Sequence, residues 1–220
     1  MITNLLFFLI KPKYILILFL CIIICVEVDA QNDLQSWSSF SLSKIIKEKN
    51  RLIFKPIIRH RDNLSSYNNF SLDFIAKRKI DNHWSFSFLQ RHWWLANDVN
   101  RNFWFIDAVY GFKANNNIKI NQYFRWHIAQ DIDINDPNFL RWHPSMTFNT
   151  SSKLKPYVGI EFFFRIDGIN EIQRLRSKVG ASYVLSDRIN LLLRLWREQF
   201  VNVTDARTDY VIQFNVDYRL

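Results

Sequence analysis

Cysteine is nearly absent from this sequence, and the two copies, Cys21 and Cys25, both lie in an apolar run near the N-terminus. Without that run no cysteine is left, which excludes disulfides, thiolate metal sites and cysteine nucleophiles together. Glycine (four) and proline (five) are also scarce. No Gly/Ser-rich linker or low-complexity tract marks a second domain, and the length fits one. No P-loop, dinucleotide fingerprint or zinc-protease motif occurs. Helical 3.6-residue apolar periodicity is missing after residue 31 as well. The one exception, 186–199 with "DRINLLLRLWRE", reads as helix or strand equally well.

Charge and hydropathy are distributed unevenly at the start. Lys11 and Lys13 precede a thirteen-residue apolar run, Tyr14 to Val26, and Val28-Asp29-Ala30 follows it. This is the pattern of a secretory signal peptide over residues 1–30. A spanning helix needs about 20 apolar residues, more than this run supplies. Lipidation is disfavoured, because Leu20 and Ile24 rather than small residues precede the cysteines. Lys11 and Lys13 balance Glu27 and Asp29, so residues 31–220 keep the whole net charge of +9. They are expected to form a single exported domain without disulfides.

In that domain, segments rich in Phe, Ile, Tyr, Trp and Val recur between turn-like clusters. Strands are expected near 35–45, 51–60, 67–79, 83–94, 101–113, 117–129, 138–149, 153–166, 171–185, 188–199 and 207–220. They exceed the usual five or six residues of soluble strands and match the 9–11 that a tilted strand needs to cross a bilayer. Short connections ("KEKN", "KIDN", "NNN", "TSSK", "SD") alternate with longer ones ("RDNLSS", "LANDVNR", "QDIDINDP", "IDGINE", "FVNVTDA"). Outer-membrane barrels alternate short periplasmic turns with longer outer loops in this way, which would put the C-terminus at the periplasmic rim. The expected fold is all-β, an antiparallel up-and-down membrane barrel of ten to twelve strands. Eleven strands conflict with the even number usual in bacterial barrels. Either "SWSSFSLSK" is not a full wall strand, or one strand is missed or split.

Alternation along each strand assigns two faces. In 139–149, Leu140, Trp142, Pro144, Met146 and Phe148 oppose Arg141, His143, Ser145, Thr147 and Asn149. In 209–220, Tyr210, Ile212, Phe214, Val216, Tyr218 and Leu220 oppose Asp209, Val211, Gln213, Asn215, Asp217 and Arg219. A soluble exported barrel of lipocalin type would bury the apolar side; a membrane barrel would turn it to lipid. Aromatics near the strand ends favour lipid, because membrane barrels carry an aromatic girdle at each interface. Trp94, Trp104, Trp126 and Trp142 lie beside the longer loops, and Trp84, Phe112, Tyr183 and Tyr218 beside the short turns. The polar face mixes signs, as an enclosed interior requires of its buried ions. Its expected lumen-lining charges are Arg59, Asp73, Arg91, Asp107, Arg125, Arg141, Glu161, Arg165, Arg174, Arg176, Arg194 and Glu198. Pro56, Pro144 and Pro156, inside expected strands, count against regular pairing and would mark bulges or ends of pairing.

The start of this domain, "QNDLQSWSSFSLSKIIKEKNRLIFKPIIRHRDN", carries Trp37 in a first strand, a Lys/Asn turn at 47–50, and Arg59 to Asn63 closing a second strand. With the Trp/Arg-rich "RHWW", "YFRWHI" and "LRWHP" further on, it resembles an uncharacterised family of bacterial outer-membrane β-barrel-like proteins. The resemblance implies location and architecture and brings no catalytic residues.

Candidate chemistry is thin. The five histidines (His60, His83, His92, His127, His143) show no close-spaced ligand motif, so neither a metal nor a cofactor is expected. His127, His143 and Ser145 are weak candidates for a membrane-embedded lipid hydrolase or acyltransferase. Two residues apart on a strand is about 6.6 Å, so His143 and Ser145 cannot bond directly. The inward arginines are the stronger signal. They would either fill the lumen through bidentate pairs with Asp and Glu or ring a narrow anion-preferring channel. Membrane lipid, including lipopolysaccharide phosphates at the rims, is the expected partner. Nucleic acid is not, since no recognition module is present.

Overall fold

A computed structural model describes residues 32–97, 99–129, 137–150, 153–168 and 170–220. The expected signal peptide lies outside them. All regular structure among the described residues is β: β1 (Asp33–Ile46), β2 (Asn50–Arg61), β3 (Ser66–Lys79), β4 (Trp84–Leu95), β5 (Asn100–Lys113), β6 (Ile118–Ala129), β7 (Phe139–Phe148), β8 (Leu154–Arg165), β9 (Ile172–Val184), β10 (Ile189–Phe200) and β11 (Thr208–Arg219). The segment that reads two ways, "DRINLLLRLWRE", is strand β10. Its leucines at 191, 193 and 195 share one face with period two, and Arg194, Trp196 and Glu198 share the other.

The strands close into a barrel in sequence order, each paired antiparallel with the next. The last pair differs, because β1 runs parallel to β11 from Asp33↔Asp209 to Ser43↔Arg219. Every hairpin reverses the chain, so the first and eleventh strands of a meander must point the same way. A parallel seam is therefore the geometric solution to an odd count. The expected even number is overturned, and so is the doubt about "SWSSFSLSK". β1 is a full wall member, bonded to β2 on one edge and to β11 on the other.

Two rims result. One, the turn rim, holds 47–49, 80–83, 114–117, 149–150, 153, 185–188 and the C-terminal Leu220. The other, the loop rim, holds Asp33 and, among the described residues, 62–65, 96–97, 99, 137–138, 166–168, 170–171 and 201–207. The contrast in length is smaller than the sequence suggests. Strand pairing takes up both ends of "RDNLSS" and "LANDVNR", leaving four residues in each connection.

The prolines do not bulge the wall. Pairing of β1 with β2 skips from Ser39↔Ile57 to Leu42↔Phe54 across Pro56, without a change of register. Pairing of β7 with β8 skips from Trp142↔Phe162 to Ser145↔Gly159 across Pro144 in the same way. Pro156 lies just past the last β7–β8 pair, Thr147↔Tyr157. Each proline faces outward; Pro56 and Pro144 delete rungs, as their missing N–H demands, and Pro156 marks an end of the β7–β8 pairing. The two register shifts lie near the loop rim, at Arg59/His60 and at Phe163/Phe164.

The faces sort by polarity. Trp142 and Phe214 are both 44 % exposed on the outside, with Phe74, Phe86, Phe88, Leu140 and Leu193 likewise open. Ser71, Asp73, Asp107, Glu161, Arg176 and Glu198 are buried inside. This inversion, apolar out and charged in, leaves the wall no soluble core. The interior also holds an apolar layer, in which Leu89, Phe103, Phe105 and Ala129 pack with Ile75 and Trp93.

Candidate functional site

The site is a belt of charged and aromatic side chains inside the barrel. It begins with directly opposed residues on neighbouring strands, whose side chains share a face at close range. Asp73 of β3 faces Arg91 of β4, and the guanidinium grips the carboxylate through Nε and Nη2, both at 2.6 Å. The same pairing repeats two strands on, where Arg125 holds Asp107 at 2.6 and 2.9 Å. Ser87 Oγ donates to Asp107 Oδ2 at 3.1 Å.

On the other side of the barrel the pairs merge into a chain. Glu161 accepts from Arg141 Nε at 2.8 Å and from Arg141 Nη2, from Lys178 Nζ at 2.5 Å and from Arg176 Nη1 at 3.3 Å. Arg176 continues to Glu198 at 2.8–3.1 Å, and Glu198 takes Arg174 at 2.9 Å. Fork-to-carboxylate geometry supplies direction as well as energy. Removing such ions from water is costly, and mutual pairing is what offsets it.

Aromatic rings fill the space between the ions. Arg59 lies between two tryptophans, its guanidinium carbon 4.4 Å from the Trp37 ring centre and 4.8 Å from that of Trp93. Arg125 covers Phe105 at 4.6 Å, Arg141 covers Phe163 at 4.3 Å, and Arg176 covers Trp196 at 4.6 Å. Cations over ring faces gain most where water is excluded. Water is excluded here, since Phe105 and Glu161 are each 1 % exposed and Asp73 and Asp107 each 2 %.

The belt is not neutral. Arg59, Arg91, Arg125, Arg141, Arg174, Arg176, Lys178 and Arg194 outnumber the inward carboxylates Asp73, Asp107, Glu161, Glu198, Asp209 and Asp217. Arg59 and Arg194 form no ion pair among the described residues. Arg59 donates through Nη1 to Asn69 Oδ1 at 2.9 Å, while its Nε and Nη2, like neighbouring Ser71 Oγ and Trp93 Nε1, have no hydrogen-bond partner. The lumen therefore holds a positive excess in a medium that screens it poorly.

The remaining candidates fall in other places. Arg165 lies near the loop rim and pairs with Asp167 at 2.5 Å. Arg194 sits over the Tyr157 ring at 4.8 Å, nearer the turn rim. His127 points inward but packs against Phe105, with ring centres 4.6 Å apart, and its Nε2 has no partner. It is not joined to His143. The His143 Nε2 instead meets Tyr157 Oη at 2.5 Å, with Ser145 beside them. Gly159 permits this crowding, since a Cβ there would come within 2.8 Å of His143 Nε2 and 2.9 Å of Tyr157 Oη. Trp84, Trp94, Trp104, Trp126, Trp142, Tyr183 and Tyr218 all point outward. No cluster of metal-ligating side chains occurs among the described residues.

The inward Trp37, Trp93, Phe105 and Trp196, which complete the belt, are not among the expected lumen residues; nor are Phe163 and Lys178, a third cation on Glu161, although both fall on the polar faces of their strands in the sequence. The sequence did hold a signal for them. "RNFWFID" and "EFFFR" carry aromatics on both faces of a strand, more than a lipid-facing side alone would use.

No known protein family and no curated protein matches the sequence. Among solved structures, the NanC porin in a rhombohedral crystal form is similar in fold, with a TM-score of 0.55 over 86 % of this chain and 99 % of that one, at 12 % identity. At that identity the similarity extends to the barrel architecture alone.

Proposed function

We propose that this chain is an outer-membrane β-barrel whose lumen is closed at the level of the belt. Its resting role is then structural or accessory, and any conduction through it prefers anions. One observation carries the reading. The carboxylates Asp73, Asp107, Glu161 and Glu198 and the rings of Phe105, Phe163 and Trp196 that meet inside the barrel are buried, while the apolar residues outside are open. A soluble binding barrel would need the reverse arrangement. Small barrels fill their interiors with side chains in this manner. The excess of guanidinium over carboxylate supplies the selectivity, because rings of fixed charge select ions of the opposite sign.

A lipid-modifying activity gains little support. His143 is tied to Tyr157, and both it and Ser145 are turned into the barrel, away from the face that would meet acyl chains.

Planar-bilayer recording tests the plug. The wild type should give almost no current steps, and Phe163→Ala with Trp196→Ala should give steps with anions carrying most of the current. Large stable wild-type steps would refute the closed lumen. Release of the protein from membranes by carbonate would refute the membrane reading itself.

A further inference from the structure

The two rims differ in charge. Lys44, Lys47, Lys49, Lys79, Lys113 and Lys153 are all exposed, and all lie in the turn-rim connections or within a few residues of them. Arg78, Arg188 and Arg219 join them there, exposed as well. The described residues of the loop-rim connections include no lysine, and there Asp62, Asp167, Glu171 and Asp205 stand against one arginine, Arg207. The turn rim is therefore basic and the loop rim acidic.

Lys79 donates to Asn82 Oδ1 at 3.3 Å, but most of these turn-rim cations are not used by the fold. Lys44, Lys47, Lys49, Lys113, Lys153 and Arg188 form no ion pair among the described residues. Nine cations against Glu48, Asp81 and Asp187 in the same turns leave the ring with a positive excess, which repels itself unless something anionic meets it. Lys44 and Arg78 extend from the outward faces of their strands, so the charge reaches around the outside of the wall.

Next to this ring, on the same outer surface, lies a cluster of outward rings. Trp84 stacks on Phe86 with centres 6.1 Å apart and touches Tyr110 at 5.0 Å, and Tyr110 continues to Phe112 at 5.8 Å. Amphipathic aromatics settle at the headgroup level of a bilayer. Lysines just beyond them have the reach and charge to meet lipid phosphates.

We infer that the turn rim is a docking surface for the phosphates of anionic glycerophospholipids, in the leaflet that the turns enter. The inference rests on the membrane reading above. Short turns of outer-membrane barrels face the periplasmic side, where the leaflet is phospholipid, and this selects glycerophospholipid over lipopolysaccharide. The acidic loop rim lacks the charge to do the same.

Tryptophan quenching by brominated lipid tests it on the folded protein in vesicles. In phosphatidylcholine with a minor fraction of brominated phosphatidylglycerol, quenching should exceed that of the same fraction of brominated phosphatidylcholine at least about twofold. Added salt at about 0.5 M should reduce the excess, because exposed charges are screened. The excess should vanish in K47E/K49E/K79E/K153E and shrink in the corresponding glutamine variant, which guards against a folding defect. Equal quenching by the two lipids in the wild type would overturn the inference and leave an acidic protein partner to account for the ring. An excess that survives charge reversal would overturn it too. No quenching by either lipid would instead refute the bilayer location, a distinct failure. Stronger quenching by brominated lipid A than by phosphatidylglycerol would overturn the leaflet assignment.

Discussion

Glu161 shows how much one side chain can organise. It receives Arg141, Arg176 and Lys178 at once and is almost inaccessible to water. Removing one partner of a buried ion pair leaves the other charge uncompensated, typically at 3–5 kcal/mol. Glu161→Gln should therefore destabilise the barrel by about 3 kcal/mol or more in urea titrations in detergent. Asp62→Asn, which breaks an ion pair at 3.4 Å whose side chains are 52 % and 62 % exposed, should cost less than about 1 kcal/mol. Similar losses for the two would mean that Glu161 is solvated and the belt open. The sequence places Glu161 on the polar face of its strand. It does not reveal which cations reach it, because those come from β7 and β9 through register that alternation leaves open.

At the scale of elements, the β3–β4 turn is a small electrostatic unit. Asp81 accepts the backbone N–H groups of Trp84 and His83, each at 2.7 Å. Those two bonds, Trp84 first, hold its carboxyl below the ordinary carboxylate range. A depressed acid stabilises the fold above its unfolded pKa, about 3.9, and the contribution is lost as pH falls through the folded value. Corrected for the intrinsic pH dependence of exchange, protection of the Trp84 amide should fall in the wild type as pH drops below about 4. Asp81→Ala should lack that protection at every pH, and an identical pH response in both would show that Asp81 does not cap this turn. Most elements were legible because long two-faced strands state their period plainly. Connection lengths were less so, since pairing absorbed flanking residues such as Arg61 and Ser66 that read as loop. Both faces of β5 carry aromatics, and only the shared parity with Asp107 separates its inward Phe103 and Phe105 from lipid-facing rings.

The whole molecule turns on its closure. Strand count came out of the sequence as eleven and looked wrong, because no pattern within a strand reports how the first meets the last. The parallel seam is testable because residues 31–220 contain no cysteine. Ser39 and Asn215 are seam partners, with Ser39 Oγ donating to Asn215 Oδ1 at 2.6 Å. With Cys21 and Cys25 replaced by serine, S39C/N215C should cross-link within one chain on mild oxidation. S39C/V211C, four residues out of register, should not. The opposite result would place another strand between β1 and β11. This seam joins residues up to 176 positions apart, so it repays its loop-closure entropy last.

Odd parity also fixes an asymmetry that no even barrel has. Asp33 leaves one rim and Leu220 the other. Once the wall is set in a bilayer, an epitope inserted at Asp33 and one appended to Leu220 would face different compartments, each open to an antibody that cannot reach the other.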